Sequence, residues 1–284
     1  MLAFDALRAG GVDVRVLKGV ALARLDYGEP QDRIFGDVDL LIRREDHQAA
    51  LAALCGGGFA RALPPVRLGW ERRFSKALMM IAPNGSELDL HMALAGGYFG
   101  ARFDHESMWR RVGATFELAG RTMTALDEAD RLIHACLHGE LGGGSGLRVR
   151  RDIAQLALAS GLAWEDARNR AAQSGCDVVV AAGISNTWQM LDLDARHPCA
   201  VWASAYVGSA RQQEMLSLYH RGSPSEWAPE ARSTLAALGR IDQARFIAGL
   251  TFPSRSSLAA RQRTPVSHVR QAIRSIASRR VPAE

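Results

Sequence analysis

Polar and apolar residues alternate in two short stretches near the N-terminus, residues 12–17 and 34–42. A period of two is typical of a β-strand, so each stretch predicts one strand. Before the first stretch, an Ala-rich segment stopped by Gly10 and Gly11 predicts the end of a helix. After it, Lys18 and Gly19 lead into apolar residues at helical spacing, which predict a second helix. This order places backbone N–H groups at a helix N-terminus, where phosphate can bind.

Two further patterns extend the predicted core. Residues 44–59 have helical spacing, with Asp46 in the first turn and glycines at the end. Residues 71–94 predict a β-hairpin, because the Pro-Asn-Gly sequence at 83–85 is a strong turn signal between two strand-like runs. The second strand of this hairpin carries three polar residues on one face: Glu87, Asp89 and His91.

The pattern becomes helical from residue 126 onward. Asp127 or Glu128 stands near the start of the first of these helices. The same helix contains His134 and His138, which are four residues apart. That spacing can bind zinc, but the glutamate of the H-E-x-x-H motif is absent, so packing or polar contacts across the cleft to the core are favoured. A glycine-rich linker then precedes another amphipathic helix, and further helices are predicted over residues 164–250.

Composition limits the class of protein. The chain has 284 residues, of which 48% are hydrophobic, enough for a sizeable core in one or two domains. The four cysteines lack C-x-x-C spacing, which argues against a zinc site or a disulfide framework and fits a reducing cytoplasm. No apolar run reaches the length of a membrane span, and the N-terminus lacks the regions of a signal peptide. A cytoplasmic protein with no membrane partner is therefore expected.

Charge is concentrated towards the C-terminus. The formal net charge is +5, and seven arginines lie within residues 254–280. Such a basic end can contact nucleic acid, including tRNA, or an acidic surface; the alternative is a frayed, solvated tail. The expected organisation has three parts: a core over 1–125, a helical domain over 126–250, and a basic C-terminal tail or helix over 251–284.

The second predicted strand contains two carboxylates, Asp37 and Asp39, among apolar residues. Alternation would turn both towards the same face, and neighbouring carboxylates repel each other and raise each other's pKa. A divalent cation removes that penalty, and magnesium suits carboxylates together with substrate phosphates. The alternative is that both residues lie at a strand end in water or cap a turn after Gly36.

Several short motifs occur in a fixed order: VLKG at 16–19, Arg33, DVDLLI at 37–42 and ELDLH at 87–91. Together they resemble the uncharacterised nucleotidyltransferase family of the DNA polymerase beta-like superfamily, over residues 12–160. The resemblance implies an α+β fold with a nucleotidyltransferase core, a mixed β-sheet flanked by helices, and a mainly α-helical domain after it. It also implies a catalytic triad that holds magnesium, with two ions expected: Asp37, Asp39 and Asp89.

The same resemblance suggests residues that bind the nucleotide. These residues are Lys18, Gly19, Arg33 and His91. Lys18 and Arg33 would neutralise phosphates, and Gly19 would let the backbone approach the triphosphate. The alternatives are that Lys18 is a solvated strand end, that Arg33 pairs with Asp32 or Glu29, and that His91 hydrogen-bonds within the site without touching substrate.

Three departures from the superfamily pattern concern this site. The phosphate turn reads Lys18-Gly19-Val20 where superfamily enzymes more usually carry Gly-Ser, so no serine hydroxyl is available there. Only about a dozen residues precede the first strand. Met92 stands where relatives often place an aromatic residue. None of these changes removes an acidic residue of the triad.

The resulting hypothesis is a magnesium-dependent nucleotidyltransferase. It would move a nucleoside monophosphate from a nucleoside triphosphate such as ATP to a hydroxyl or phosphate on a small metabolite, a peptide or RNA. One alternative is a catalytically inactive scaffold that binds a protein or RNA partner, and another is a tailoring enzyme with a different donor. Replacing Asp39 by Asn is expected to abolish turnover and to leave thermal stability close to unchanged.

Overall fold

The computed structural model describes residues 1–142, 146–159, 161–220 and 227–260. Five strands form one mixed sheet in the order β1-β2-β5-β4-β3, and two more form a separate antiparallel hairpin. Within the large sheet β2 and β5 are parallel, and the other neighbouring pairs are antiparallel. The strands are β1 (Val14–Leu17), β2 (Val38–Ile42), β3 (Ala60–Arg61), β4 (Ala77–Ile81), β5 (Glu87–His91), β6 (Thr115–Leu118) and β7 (Arg121–Thr124).

Helices and strands are interspersed in the first part of the chain. After residue 126, the described part of the chain contains helices and no strands. The first six are α1 (Leu2–Ala9), α2 (Lys18–Leu25), α3 (His47–Gly56), α4 (Trp70–Phe74), α5 (Gly97–Arg102) and α6 (His105–Arg110), and a single 3-10 turn covers Pro30–Asp32. The later ones are α7 (Glu128–Leu141), α8 (Leu147–Ala157), α9 (Trp164–Gln173), α10 (Asp177–Leu191), α11 (Pro198–Ala205), α12 (Ala210–His220), α13 (Trp227–Ala237), α14 (Arg240–Thr251) and α15 (Arg255–Ala260). The predicted α+β fold class is confirmed.

The two faces of the sheet bury different sets of side chains. Leu40 and Ile42 point to one face, where they pack in a cluster with residues of α1 and α3. Leu17 and Leu41 point to the other face and belong to a cluster that includes apolar residues of α7 and α10. This second cluster extends across residue 125, so the sheet and the helical region share one core. The domain boundaries at 125 and 250 remain a prediction.

A buried polar network ties four helices of the helical region together. Glu140 on α7 accepts hydrogen bonds from Arg150 on α8, Asn186 on α10 and His220 on α12. Burial raises the pKa of Glu140, but these partners outweigh it and hold the pKa below its ordinary value. A buried charge is tolerated when it is paired in this way, so the network holds α7 against α8, α10 and α12.

The first strand and the predicted hairpin differ from the sequence prediction. The first strand begins at Val14 and not at Val12, because the Val12 N–H closes α1 by donating to Leu7 O while Gly11 takes a left-handed φ of 72°. The predicted hairpin over 71–94 starts with helix α4 and not with a strand. Glu71 in that helix is buried and accepts hydrogen bonds from Arg61 of β3 and from the Val66 N–H, which hold the helix against the edge of the sheet.

Helix α14, late in the described chain, packs against α4 in the first part of the chain. Trp70 on α4 stacks on Phe246 of α14 with ring centroids 5.4 Å apart, and its indole N–H donates to Phe246 O. The arginine-rich stretch from residue 261 to the end lies outside the described residues, so the expected basic tail is untested. Among the described helices, none combines the length and apolar character that crossing a membrane requires.

Candidate functional site

The parallel pairing of β2 and β5 brings two carboxylates side by side. Asp39 lies opposite Asp89 in the register, and Leu41 lies opposite His91. The antiparallel neighbour β1 places Leu17 opposite Asp39, so the chain turns into α2 directly beside this pair. The predicted convergence of carboxylates from two strands is therefore present for Asp39 and Asp89.

Lys18 is the first residue after β1, and its side chain reaches this pair. The Lys18 ammonium lies 2.7 Å from Asp39 Oδ1, and the Asp39 side chain is only 2% exposed. Lys18 has a left-handed φ of 40°, a conformation that non-glycine residues rarely adopt and that is found most often at functional sites. Lys18 is thus a partly buried partner of Asp39 and not the solvated end of a strand.

His91 contacts the same oxygen of Asp39. Its Nε2 lies 2.9 Å from Asp39 Oδ1, and its Nδ1 lies 3.4 Å from Ala93 O. These contacts fix the ring within the site, which is one of the two roles considered for His91 from the sequence. In this position His91 orients the Asp39 carboxylate.

The pKa values of Asp39 and Asp89 shift in opposite directions. Burial alone would raise the pKa of Asp39, but the hydrogen bond from His91 and the ammonium of Lys18 lower it well below the ordinary value. Burial raises the pKa of Asp89; His91 opposes that effect, and the charge of Asp39 adds to it. Adjacent carboxylates with diverging pKa values are typical of catalytic sites.

Asp37 is placed differently from the other two acids. It lies in a bend before β2, which begins at Val38, and its side chain is exposed. The expectation that Asp37 continues the strand is therefore wrong at that position, because the chain is still turning after Gly36. Its charge nevertheless contributes to raising the pKa of Asp89.

The donor atoms that could hold a metal ion come from three residues. Ligand atoms of Asp39, Asp89 and His91 lie within 4.8 Å of one another, and Asp37 is outside this group. Carboxylate oxygens suit magnesium. The ammonium of Lys18 shows that this site accepts a positive charge, because it contacts Asp39 Oδ1. The chemistry of the site therefore fits a divalent cation held by Asp39 and Asp89, with His91 supporting Asp39.

Arg33 has a different environment from the one predicted. Its guanidinium is buried and pairs with Asp152 of α8 through two hydrogen bonds, of 2.7 Å from Nε and 2.8 Å from Nη2. The Tyr27 hydroxyl donates to the same carboxylate at 2.7 Å. Neither Asp32 nor Glu29 is its partner. Arg33 thus fastens the loop before β2 to the helical region, and its role towards phosphate remains a prediction without support from these contacts.

Gly19 is in the first turn of α2, where the N-cap residue Leu17 supplies no capping side chain. A Cβ added to Gly19 would lie 2.6 Å from the Cβ of Phe35. Packing against Phe35 therefore gives a reason for glycine here that does not depend on a nucleotide.

The helical region supplies side chains that the sequence did not single out as site residues. A narrow cavity beside Lys18 and His91 is also lined by His134 and His138 of α7. Further lining residues are Tyr219 of α12 and Glu230 of α13, together with Lys76, which directly precedes β4 in the core. The helical spacing of the two histidines was a usable signal, but no local pattern marks the other three, because they come from separate parts of the chain.

Comparison with known proteins places the chain in a family. The model of a family described as "Uncharacterised nucleotidyltransferase" matches residues 3–192. A search of curated proteins finds no match. Among solved structures, the chain is similar to an antigenic nucleotidyltransferase-like protein from Paracoccidioides brasiliensis, with 16% identity and a TM-score of 0.37 over 75% of this chain and 94% of that one. From the family match, which confirms the resemblance in the motifs, this chain belongs to the uncharacterised nucleotidyltransferase family.

Proposed function

We propose that this protein is a magnesium-dependent nucleotidyltransferase that transfers a nucleoside monophosphate from a nucleoside triphosphate to a hydroxyl or phosphate acceptor. The observation that supports this most directly is the pairing of Asp39 with Asp89 across two parallel strands. Two adjacent acids in a partly buried site repel each other unless a cation lies between them or one is protonated. Family membership supports the same reaction class.

Asp39 and Asp89 are the residues that would hold magnesium, and Asp37 would complete the triad. Two ions are proposed, and they would supply positive charge to the oxygens of the reacting phosphate. His91 keeps the Asp39 carboxylate in place through the contact at 2.9 Å.

Asp89 is proposed to take the proton from the acceptor hydroxyl. Among the described residues its carboxylate has no hydrogen-bonding partner, so its lone pairs are available. Burial raises the pKa of Asp89 in the protein alone, and a bound magnesium ion would lower it, so the carboxylate would be ionised and able to accept the proton when the metal is present.

Lys18 and the start of α2 are proposed to act on the phosphates. The ammonium of Lys18 neutralises Asp39 and would neutralise phosphate oxygens when these enter beside it. The first N–H groups of α2 have no capping side chain, and uncapped N–H groups at a helix N-terminus favour an anion.

The test is a thermal-shift titration with ATP, GTP, CTP and UTP, each with and without magnesium. A ligand that binds only the folded state raises its apparent stability, so a magnesium-dependent shift identifies the donor. We expect Asp89→Asn to lose this shift. Glu87→Gln is the matched control, because Glu87 lies on the same face of the same strand, exposed and outside the cluster. An unchanged shift in Asp89→Asn would contradict the proposed site.

The Lys18–Asp39 ion pair favours a second candidate function, a scaffold that binds a partner without catalysis. A site that carries its own counter-ion does not depend on metal for charge balance. Calorimetry distinguishes the two functions: binding of neither magnesium nor any of the four nucleotides would support the scaffold.

A further inference from the structure

The cavity beside the acidic pair has room for one small group. Its volume is about 30 Å³, more than the roughly 10–15 Å³ that a single water needs. Lys18 and His91, the two partners of Asp39, form one side of it. A ligand that reacts at the acidic pair could therefore place a terminal group here while the rest of it stays outside.

Hydrogen-bond donors dominate the walls of this cavity. The Tyr219 hydroxyl is buried and makes no hydrogen bond of normal geometry, although Ser233 lies next to it. His134 and His138 also line the cavity, and the ring nitrogens of an imidazole can take part in hydrogen bonds. A buried hydroxyl without a partner costs free energy, so this wall is suited to a ligand that accepts hydrogen bonds.

Positive groups outnumber negative ones around the cavity. Lys76 contributes an ammonium, and Glu230, at 3.9 Å from it, contributes the only carboxylate among the described lining residues. Burial and the nearby charge of Lys18 lower the pKa of His138 to about 4, and burial, Lys18 and His91 hold the pKa of His134 well below its usual range, while Asp39 opposes these effects on both rings. Both rings are therefore neutral near pH 7, and each offers one N–H donor.

We propose that this cavity binds a single phosphate group of the substrate, held by Tyr219, His134, His138 and Lys76. The proposal rests on the proposed function, because a phosphate here lies next to the residues that would carry out nucleotidyl transfer. The group is either the terminal phosphate of the donor or a phosphate carried by the acceptor.

The test uses the whole chain labelled with ¹⁵N-histidine, titrated with inorganic phosphate and followed by histidine ring resonances. His134→Gln and His138→Gln variants assign the two cavity signals. We expect both signals to move in a saturable way while those of His47 and His197, which do not line the cavity, stay fixed. Equal movement of all four signals, or no movement at all, would overturn the proposal.

Two variants change the cavity in opposite directions. Tyr219→Phe removes one donor and is expected to weaken phosphate binding about tenfold, which corresponds to about 1.4 kcal/mol. Glu230→Gln removes the opposing carboxylate and is expected to strengthen binding. Tyr206→Phe is the matched control, because Tyr206 does not line this cavity. Unchanged affinity in both Tyr219→Phe and Glu230→Gln would place the phosphate elsewhere.

Competition identifies the source of the phosphate. If magnesium and the nucleotide found by thermal shift prevent free phosphate from moving the cavity signals, the group belongs to the donor. If free phosphate still moves them in the nucleotide complex, the group belongs to the acceptor. Nucleotide binding without any phosphate effect on these histidines would refute this cavity site alone, whereas a phosphate effect without nucleotide binding would refute the proposed function alone.

Discussion

The ammonium of Lys18 lies 2.7 Å from the buried carboxylate of Asp39. A positive charge of the protein itself therefore lies where the resemblance to nucleotidyltransferases leads one to expect a metal ion. This contact partly neutralises the charge of the acidic pair, so two adjacent carboxylates are tolerated in the folded chain. A variant of Lys18 therefore tests the site as well as variants of the two acids.

Replacing Lys18 by Met removes this internal counter-ion. We expect a loss of about 3 kcal/mol in the free energy of unfolding, because Asp39 is left buried with only His91 as partner. Magnesium should restore part of that loss, so its stabilising effect should be larger in the variant than in the wild type. Urea unfolding with and without magnesium measures both quantities. Lys76→Met, which removes a more exposed ammonium, is the control, and an identical magnesium effect in all three proteins would rule out cation binding at Asp39.

Asp39→Asn and Asp89→Asn should change stability in opposite directions at pH 7. The pKa of Asp39 is lowered on folding, so its ionisation stabilises the fold above the ordinary pKa of 3.8 and Asp39→Asn loses that stability. The pKa of Asp89 is raised on folding, so its ionisation destabilises the fold and Asp89→Asn should raise Tm.

Thermal unfolding from pH 3 to pH 8 checks this prediction. The gain from Asp89→Asn should shrink as the pH falls and disappear below 3.8, because both the folded and the unfolded wild type then carry a protonated Asp89. A lower Tm for Asp89→Asn at pH 7 would be incompatible with it. The expectation that Asp39→Asn leaves stability unchanged does not agree with the buried contacts of Asp39 to Lys18 and His91.

Arg33→Met should destabilise the protein by about 3–5 kcal/mol, because it leaves the carboxylate of Asp152 buried without its main partner. Arg151→Met is the control: Arg151 stacks on the Tyr27 ring and contacts Asp32 O at the surface, so a loss below about 1 kcal/mol is expected. Urea unfolding measures both values. If Arg33→Met instead kept its stability and lost nucleotide binding, Arg33 would be a phosphate ligand as the sequence motif suggested.

Gly19→Ala should cost about 1–3 kcal/mol through overpacking, since the new methyl group would lie 2.6 Å from the Cβ of Phe35. Gly36→Ala, two residues before Val38, meets no atom within 4 Å and should be nearly neutral. Combining Gly19→Ala with Phe35→Gly should cost less than the sum of the two single changes. Additive losses in urea unfolding would show that Phe35 is not the obstacle.

The sequence predicted the parts of the site that depend on local pattern. Alternation in residues 87–91 turned Asp89 and His91 to one face, and the turn signal at 83–85 correctly paired β4 with β5. The motif order gave the family and the fold class. These features are local because strand alternation and turn geometry are set by neighbouring residues.

Partners that are distant in sequence could not be predicted in the same way. Nothing near Arg33 indicates that it pairs with Asp152, 119 residues away, and Asp32 and Glu29 are nearer alternatives along the chain. The contact of Lys18 with Asp39 requires the register of β1 on β2, which the sequence pattern leaves open. The start of β2 at Val38 depends on where the preceding loop ends, which the sequence pattern does not show. For this reason Asp37 lies in the loop, whereas Asp39 lies in the strand.

Through Glu140, the position of helix α7 in the candidate site depends on residues that do not line the cavity. Its hydrogen bonds to α8, α10 and α12 set the rotation of α7, and the same helix carries His134 and His138. A substitution at Arg150, Asn186 or His220 would turn the two imidazoles relative to the sheet without altering any lining residue of the cavity. Because none of these three residues lines the cavity, changes at them would alter the ligand that is selected while the acidic pair stays intact.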